Sequence, residues 1–365
     1  MLSDNISCRT FSENRTLQEI FSQYILSWLF LILTIAGLCG NVLCLSVVLK
    51  YPVFSKNTKS WFCSLLIADI LILLLPAMDL YFHVLLPELY PSLIARSGVF
   101  GCEIRYALIQ SLSWLANLLQ SSLSIERSYS VLRPMKARML FTKTKTKSMI
   151  LIIVMFSLVS GVLTNGLTFQ RIPQGNSTIC DRVRIERFNI SHIIYNIDLF
   201  IFRVIPFIIM FTSSWIIIIE LRCCKQKRNE SNIRIRNSKA TSKKEFKMFV
   251  LLISMNVLTL LTNPLFALFE TIDGVGTENY PYGLWTGDIC MSKLLRLIFN
   301  CFIYLNNQSN WIFYIATGGK FRRYSLNVLR VIFRFHSKGN HESLRYSKNN
   351  QLNLTYGLSL TNQSK

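Results

Sequence analysis

Residues 102–134 read CEIRYALIQSLSWLANLLQSSLSIERSYSVLRP. The stretch opens on Cys102 and runs through mostly apolar and small polar residues. It closes on Glu126-Arg127, a few residues before Val131-Leu132-Arg133-Pro134. At the α-helical rise, the path from Cys102 to Arg127 is roughly 37 Å long. The hydrocarbon core of a bilayer is about 30 Å thick. This stretch can therefore cross a membrane, and the rest of the chain decides whether one is there and which way the helix points.

Composition answers the first question. Of 365 residues, 51% are hydrophobic and 16% charged, whereas a soluble domain carries about a quarter charged. Mean hydropathy is +0.36. This is a membrane-protein profile. No basic segment leads into a short apolar one within residues 1–20, so no cleavable signal is predicted and the first span is expected to direct insertion.

Seven segments are long and apolar enough to span: 24–49, 61–82, 102–127, 148–169, 196–221, 247–270 and 294–317. Continuous runs of this kind satisfy their backbone groups in lipid as helices. The predicted fold class is an all-α membrane protein, a seven-transmembrane helix bundle with a short amphipathic helix after the seventh span. The parts are an extracellular segment 1–23, the bundle 24–317, the amphipathic membrane-surface helix 318–336 and a disordered cytoplasmic tail 337–365. In 318–336, Phe321, Leu326, Leu329, Ile332 and Phe333 alternate with Arg322, Arg323, Arg330 and Arg334. The tail is polar and rich in Ser and Thr, open to phosphorylation.

The net charge of +21 raises nucleic-acid binding as an alternative. Its distribution removes that alternative. Segments 50–60, 128–147, 222–247 and everything after 317, with Arg127 added, hold 29 of the 40 Lys and Arg residues. The opposite segments hold 8, and Arg105, Arg203 and Arg296 lie within spans. Basic residues concentrate on the cytoplasmic side. The N-terminus is thus expected outside a plasma membrane and the C-terminus inside, with the basic loops drawn to anionic lipids. No nucleic-acid partner is expected. Asn5, Asn14, Asn176 and Asn189 head sequons on the outer segments and are glycosylation candidates.

Polar groups deep in a span cost roughly 3 kcal/mol for a charge and usually mark function. Asn41, Asp69, Asn306, Asn307 and Asn310 are such groups. No Ser/His/Asp, Cys/His or phosphate-loop arrangement points to an enzyme, and no metal-ligand spacing occurs among the cysteines.

Here the chain resembles the rhodopsin-like (class A) G-protein-coupled receptors, over roughly residues 24–335. The motifs come in order: Gly40-Asn41-Val42, Leu65 with Asp69, Cys102, Glu126-Arg127-Ser128 with Arg133-Pro134, Cys180, Pro206, Pro264, and Asn310 with Tyr314. The resemblance implies that Glu126 holds Arg127 at rest and that Arg127 turns to a heterotrimeric G protein on activation. Glu245 would help restrain Arg127. The alternative for Arg127 is snorkelling to headgroups. The resemblance implies a Cys102–Cys180 disulfide. A second, Cys8–Cys290, competes with two unpaired thiols. No cofactor is expected beyond a candidate allosteric sodium ion near Asp69, Asn41, Asn306 and Asn307, whose alternative is a hydrogen-bonded packing cluster. Arrestin and a receptor kinase are further implied partners.

Departures mark a divergent member: Thr262 stands for the usual Trp, Trp311 for Pro, Ser128 and Ser214 for Tyr, and Ala116 for a Ser sodium ligand. Ile109 replaces the amine-binding Asp, and Tyr304 replaces the Schiff-base Lys. The remaining reading is a peptide receptor, with Asp79, Arg105, Tyr106, Gln110, Asp198, Arg203, Glu270, Arg296 and Tyr304 lining the ligand cleft. A seven-span transporter or channel and a non-coupling scavenger receptor are the alternatives.

Overall fold

The computed structural model describes residues 25, 27–52, 54–85, 103–174, 177–182, 197–230, 250, 253–262, 289–317 and 321–330. In chain order the helices are α1 (Ser27–Lys50), α2 (Lys56–Ile72), α3 (Met78–Leu85), α4 (Glu103–Leu132), α5 (Pro134–Leu140), α6 (Lys143–Thr168), α7 (Ile205–Glu230), α8 (Ile253–Thr262) and α9 (Ile289–Thr317). A tenth, α10, covers 321–330. Every predicted span contains a described helix.

The stretches Trp28–Lys50, Asn57–Ala77, Lys143–Thr164 and Ile197–Glu220 are each long and apolar enough to cross a membrane. Helices α4 and α9 are longer still, 30 and 29 residues, but carry polar side chains inward. In α4 these include Ser111, Gln120, Ser121 and Ser124, all buried. Polarity turned towards the bundle is the arrangement lipid permits. The outer surface is the reverse. Helix α6 exposes Leu151, Ile152, Met155, Val159, Val162 and Leu163, which marks it as peripheral.

Prolines set where the helices change pitch. Pro76 lies inside a π turn, Leu73–Ala77, that joins α2 to α3. A second π turn, Phe200–Val204, precedes Pro206 at the start of α7. Proline removes a backbone donor and crowds the carbonyl four residues back, and the wider turn absorbs this. That carbonyl, on Phe202, instead accepts a 3.3 Å hydrogen bond from Asn117 Nδ2. Helix α9 carries Trp311 rather than proline and runs unbroken through it.

Local signals set several ends. Ser55 caps α2, its hydroxyl accepting from the Thr58 N–H. Arg133, ahead of Pro134, leaves the helical region at φ −139, ψ 72, and so separates α4 from α5. The segment after α6 contains an antiparallel hairpin, β1 (Phe169–Gln174) with β2 (Ser177–Arg182), which sets Cys180 opposite Arg171. Sequence reading has only a loop there.

The buried core gathers Trp61, Phe62, Leu65, Leu66, Ile72 and Leu73 of the α2 segment with Leu119 and Leu123 of α4. Helices α1 and α9 meet through glycine. A Cβ on Gly40 would lie 2.2 Å from Trp311 Cγ, and one on Gly37 would lie 2.8 Å from Gln308 Cα. Cys39 is exposed on the face of α1 that carries Ile35 and Val42.

Candidate functional site

Three polar centres lie along the bundle. At one end, Glu126 and Arg127 are 4% and 7% exposed. Arg127 Nη2 lies 3.3 Å from both Glu126 carboxylate oxygens. Adjacent residues on one helix normally face apart, so the contact requires the guanidinium to fold back along α4. The two charges are thereby desolvated as a pair, which costs far less than burying either alone. Around this end, Asn57 Nδ2 donates to the Phe141 carbonyl and fastens the turn after α5 to α2. Tyr129 packs edge-on against Phe141, with ring centroids 6.0 Å apart. Tyr51 stacks on Tyr324 at 4.2 Å, tying the end of α1 to α10.

Tyr314 is 1% exposed and sits between Phe62 and Phe321, with centroids 5.5 and 5.9 Å away. Among the described residues its hydroxyl has no hydrogen-bond partner.

The second centre is mid-bundle. Asn310 Nδ2 donates to Asp69 Oδ2 at 2.7 Å, and Asn41 Nδ2 donates to the Asn307 carbonyl at 2.9 Å. Gln308 Nε2 donates to Thr34 at 2.9 Å. Among the described residues, the buried oxygens Asn41 Oδ1, Asp69 Oδ1 and Asn310 Oδ1 have no donor. Carbonyl and carboxylate oxygens are the ligands a hard cation takes, so this donor set fits sodium in kind. Asn306 is turned elsewhere, with its Oδ1 accepting from Thr259 at 3.0 Å.

The third centre, at the opposite end from Arg127, carries mixed charge. Arg105 of α4 pairs with Asp79 of α3, Nε to Oδ1 at 2.7 Å, and its guanidinium lies 4.8 Å over the Tyr106 ring. Gln110 Nε2 approaches Asp198 Oδ2 at 3.4 Å. Tyr304 packs on Phe30, with centroids 5.7 Å apart. Asp79 and Arg105 are thus brought together, as are Gln110 and Asp198. Arg203 sits half-buried in the π turn before α7. Arg296 lies within α9, whose side chains there are not described, as is also the case for Cys290. Glu245, Glu270, Cys8, Cys102, Asn5, Asn14, Asn176 and Asn189 lie outside the described residues.

Sequence reading misses one buried set: Gln120 and Ser124 of α4 with Asn256 and Thr259 of α8. A signal for it exists. Gln120 is mid-span, and Ser124 follows it by one helical turn on the same face.

A membrane-spanning helix bundle with a paired Arg–carboxylate at one end and a mixed-charge cleft at the other has the layout of a multi-pass receptor. The family profile described as 7 transmembrane receptor (rhodopsin family) matches residues 40–314. The chain belongs to that family, which is one of receptors rather than enzymes. It is 23% identical over 319 residues to neuromedin-U receptor 2 of Mus musculus, covering 83% of this chain and 74% of that receptor. With neuromedin-U receptor 2 of Homo sapiens it shares 24% over 313 residues, covering 83% and 70%. Over 133 residues it is 29% identical to the motilin receptor of Homo sapiens, covering 36% and 30%.

Proposed function

We propose that the chain is a plasma-membrane receptor for a short peptide and that it activates a heterotrimeric G protein. The N-terminus lies outside, following the asymmetry of its loop charges. Agonist enters the Arg105 end and shifts spans three, five, six and seven. Arg127 then leaves Glu126 and meets the G protein, with Tyr314 turning from its apolar niche in the same movement. The observation that carries this reading is the buried Arg127–Glu126 pair in a rhodopsin-family chain. The arrangement can be broken only if something else neutralises Arg127, and an intracellular partner does so. Glu245 is a second restraint on Arg127. The polar tail beyond residue 336 serves a receptor kinase and arrestin.

The peptide reading rests on the clustered Asp79, Arg105, Tyr106, Gln110 and Asp198. A peptide brings charges and amides that such groups satisfy, whereas a lipid does not. Peptides of the neuromedin-U and motilin type are the first probes, because the relatives are receptors named for them. The test uses the full chain in proteoliposomes with a panel of Gα proteins, reading nucleotide exchange across a peptide library. Stimulation by some peptide is expected. Saturable binding without exchange for any Gα would identify a scavenger, and ion or solute flux would identify a transporter. Arg105→Ala is expected to weaken binding of the active peptide about tenfold or more, the effect of losing a charged contact of about 1.4 kcal/mol. Unchanged affinity would remove Arg105 from the cleft.

The cation reading is carried by the undonated oxygens of Asn41, Asp69 and Asn310. Ala116, where the family usually has a serine ligand, weighs against it, as does the Thr259–Asn306 bond. Replacing an organic cation by sodium is expected to lower agonist affinity in the native chain and to leave Asp69→Asn indifferent. An equal response in both would show Asp69 to be a packing residue.

A further inference from the structure

A continuous hydrogen-bonded belt crosses the bundle between the Asp69 and Arg127 centres. Gln120 Nε2 donates to Thr259 Oγ1 at 2.8 Å and approaches Asn256 Oδ1 at 3.4 Å. Asn256 Nδ2 donates to Ser124 Oγ at 3.0 Å and to Ser214 Oγ at 2.9 Å. Thr259 Oγ1 lies 3.0 Å from both Asn306 Oδ1 and the Met255 carbonyl one turn back, which share its single proton. The belt therefore joins α4, α7, α8 and α9, the helices of spans three, five, six and seven. None of its members is more than 6% exposed: Gln120 2%, Ser124 1%, Ser214 6%, Asn256 1%, Thr259 0% and Asn306 5%.

The position of α8 in the belt matters most. Asn256 and Thr259 lie three residues apart, on one face of the helix. Asn256 reaches both α4 and α7, and Thr259 reaches both α4 and α9. Helix α8 is thus held by polar bonds to α4, α7 and α9. These bonds are short-ranged and directional. A rotation or outward swing of α8 breaks several of them together, and the amides and hydroxyls freed in a dry interior cost energy until water or new partners reach them. Ser214 stands where the family usually has a tyrosine, so here span five enters this contact with a short side chain held close to Asn256.

We propose that Gln120, Asn256 and Thr259 are positioning residues of the receptor switch: their belt clamps span six against spans three, five and seven in the arrangement where Arg127 pairs with Glu126, and so sets agonist-independent activity. This rests on the G-protein reading only for its signalling consequence. The clamp itself is a statement about helix position.

The test separates the two. Nitroxide labels are placed at Arg138→Cys of α5 and Val250→Cys, both exposed positions outside the belt. The background carries no Cys39, Cys223 or Cys224. Thr259→Val keeps the shape of the side chain and removes only the hydroxyl. It is expected to broaden and lengthen the inter-label distance distribution without agonist, and to raise basal nucleotide exchange about three- to eightfold, at about threefold for each of the two belt bonds of that hydroxyl inside a membrane. Thr259→Ser is expected to restore both. Ser214→Ala, which cuts a separate bond, is expected to shift both readouts in the same direction. Gln120→Leu combined with Thr259→Val is expected to shift both readouts by less than the sum of the two single changes, because the Gln120–Thr259 bond is common to both. Distance distributions of Thr259→Val and Ser214→Ala that superimpose on the native one would overturn the clamp. A shifted distribution with no exchange in any variant supports the clamp and counts against G-protein coupling alone.

Discussion

Replacing Arg127 with alanine is expected to abolish agonist-stimulated nucleotide exchange while the chain still reaches the cell surface. The physical reason lies in the pair. Arg127 Nη2 contacts both oxygens of Glu126, and both side chains are buried. Removing the guanidinium leaves a buried carboxylate alone, a change that costs about 3–5 kcal/mol in soluble proteins unless the group takes up a proton. Some loss of thermal stability is therefore expected beside the loss of function. Arg127→Lys preserves the charge but not the two-oxygen geometry and is expected to retain surface display with weakened signalling. Glu126→Gln is the complementary change. It loosens Arg127 without deleting it, so agonist-independent exchange is expected to rise. Exchange in Arg127→Ala matching the native chain, or a silent Glu126→Gln, would show the pair to be a structural contact and not a switch.

Gly40→Ala is expected to cost more stability than one added methyl suggests. The new Cβ would meet three ring atoms of Trp311 at 2.2, 2.3 and 2.6 Å. An indole cannot yield as a flexible chain end does, so α1 and α9 must separate or the ring must leave its seat. Overpacking of this kind costs about 1–3 kcal/mol. The measurement is the thermal unfolding midpoint of the solubilised receptor. The cycle with Trp311→Ala makes the cause specific: in that background Gly40→Ala is expected to be close to neutral, because the clash is gone. Full additivity would place the cost elsewhere in α1.

The two predictions differ in what reveals them. Glu126-Arg127 is visible in the chain, because a charged dipeptide closing an apolar run is costly and therefore informative. The Gly40–Trp311 seat is not visible. Nothing local to Gly40 says that residue 311, on another helix, will rest on it. The same divide separates the Asp69 centre from the belt. Asp69 announces itself as a charge in mid-span, and its 2.7 Å bond from Asn310 joins two residues already singled out. Gln120, Ser124, Asn256 and Thr259 are ordinary polar residues one at a time, and they acquire meaning only when α4 and α8 face each other. In the cleft, sequence names Asp79, Arg105, Gln110 and Asp198 as a set, whereas the fold sorts them into two pairs.

By itself, the sequence determined the number of spans and the receptor class, and Pro134 marked where the helix of the third span stops, at Leu132, five residues past the Arg127 end that its apolar run gives. Those follow from hydrophobic run length, from proline and capping residues, and from the cost of charge in lipid, all of which act over one or two helical turns. Only the tertiary structure decided that the loop after α6 folds back as a hairpin, that Cys39 faces outward, that Trp311 seats on Gly40 and that four helices share one belt of hydrogen bonds. Each of these depends on which faces of distant helices meet. In a bilayer that choice is made by small residues and buried polar pairs across the bundle rather than by the apolar pattern, which is the same for every helix that crosses.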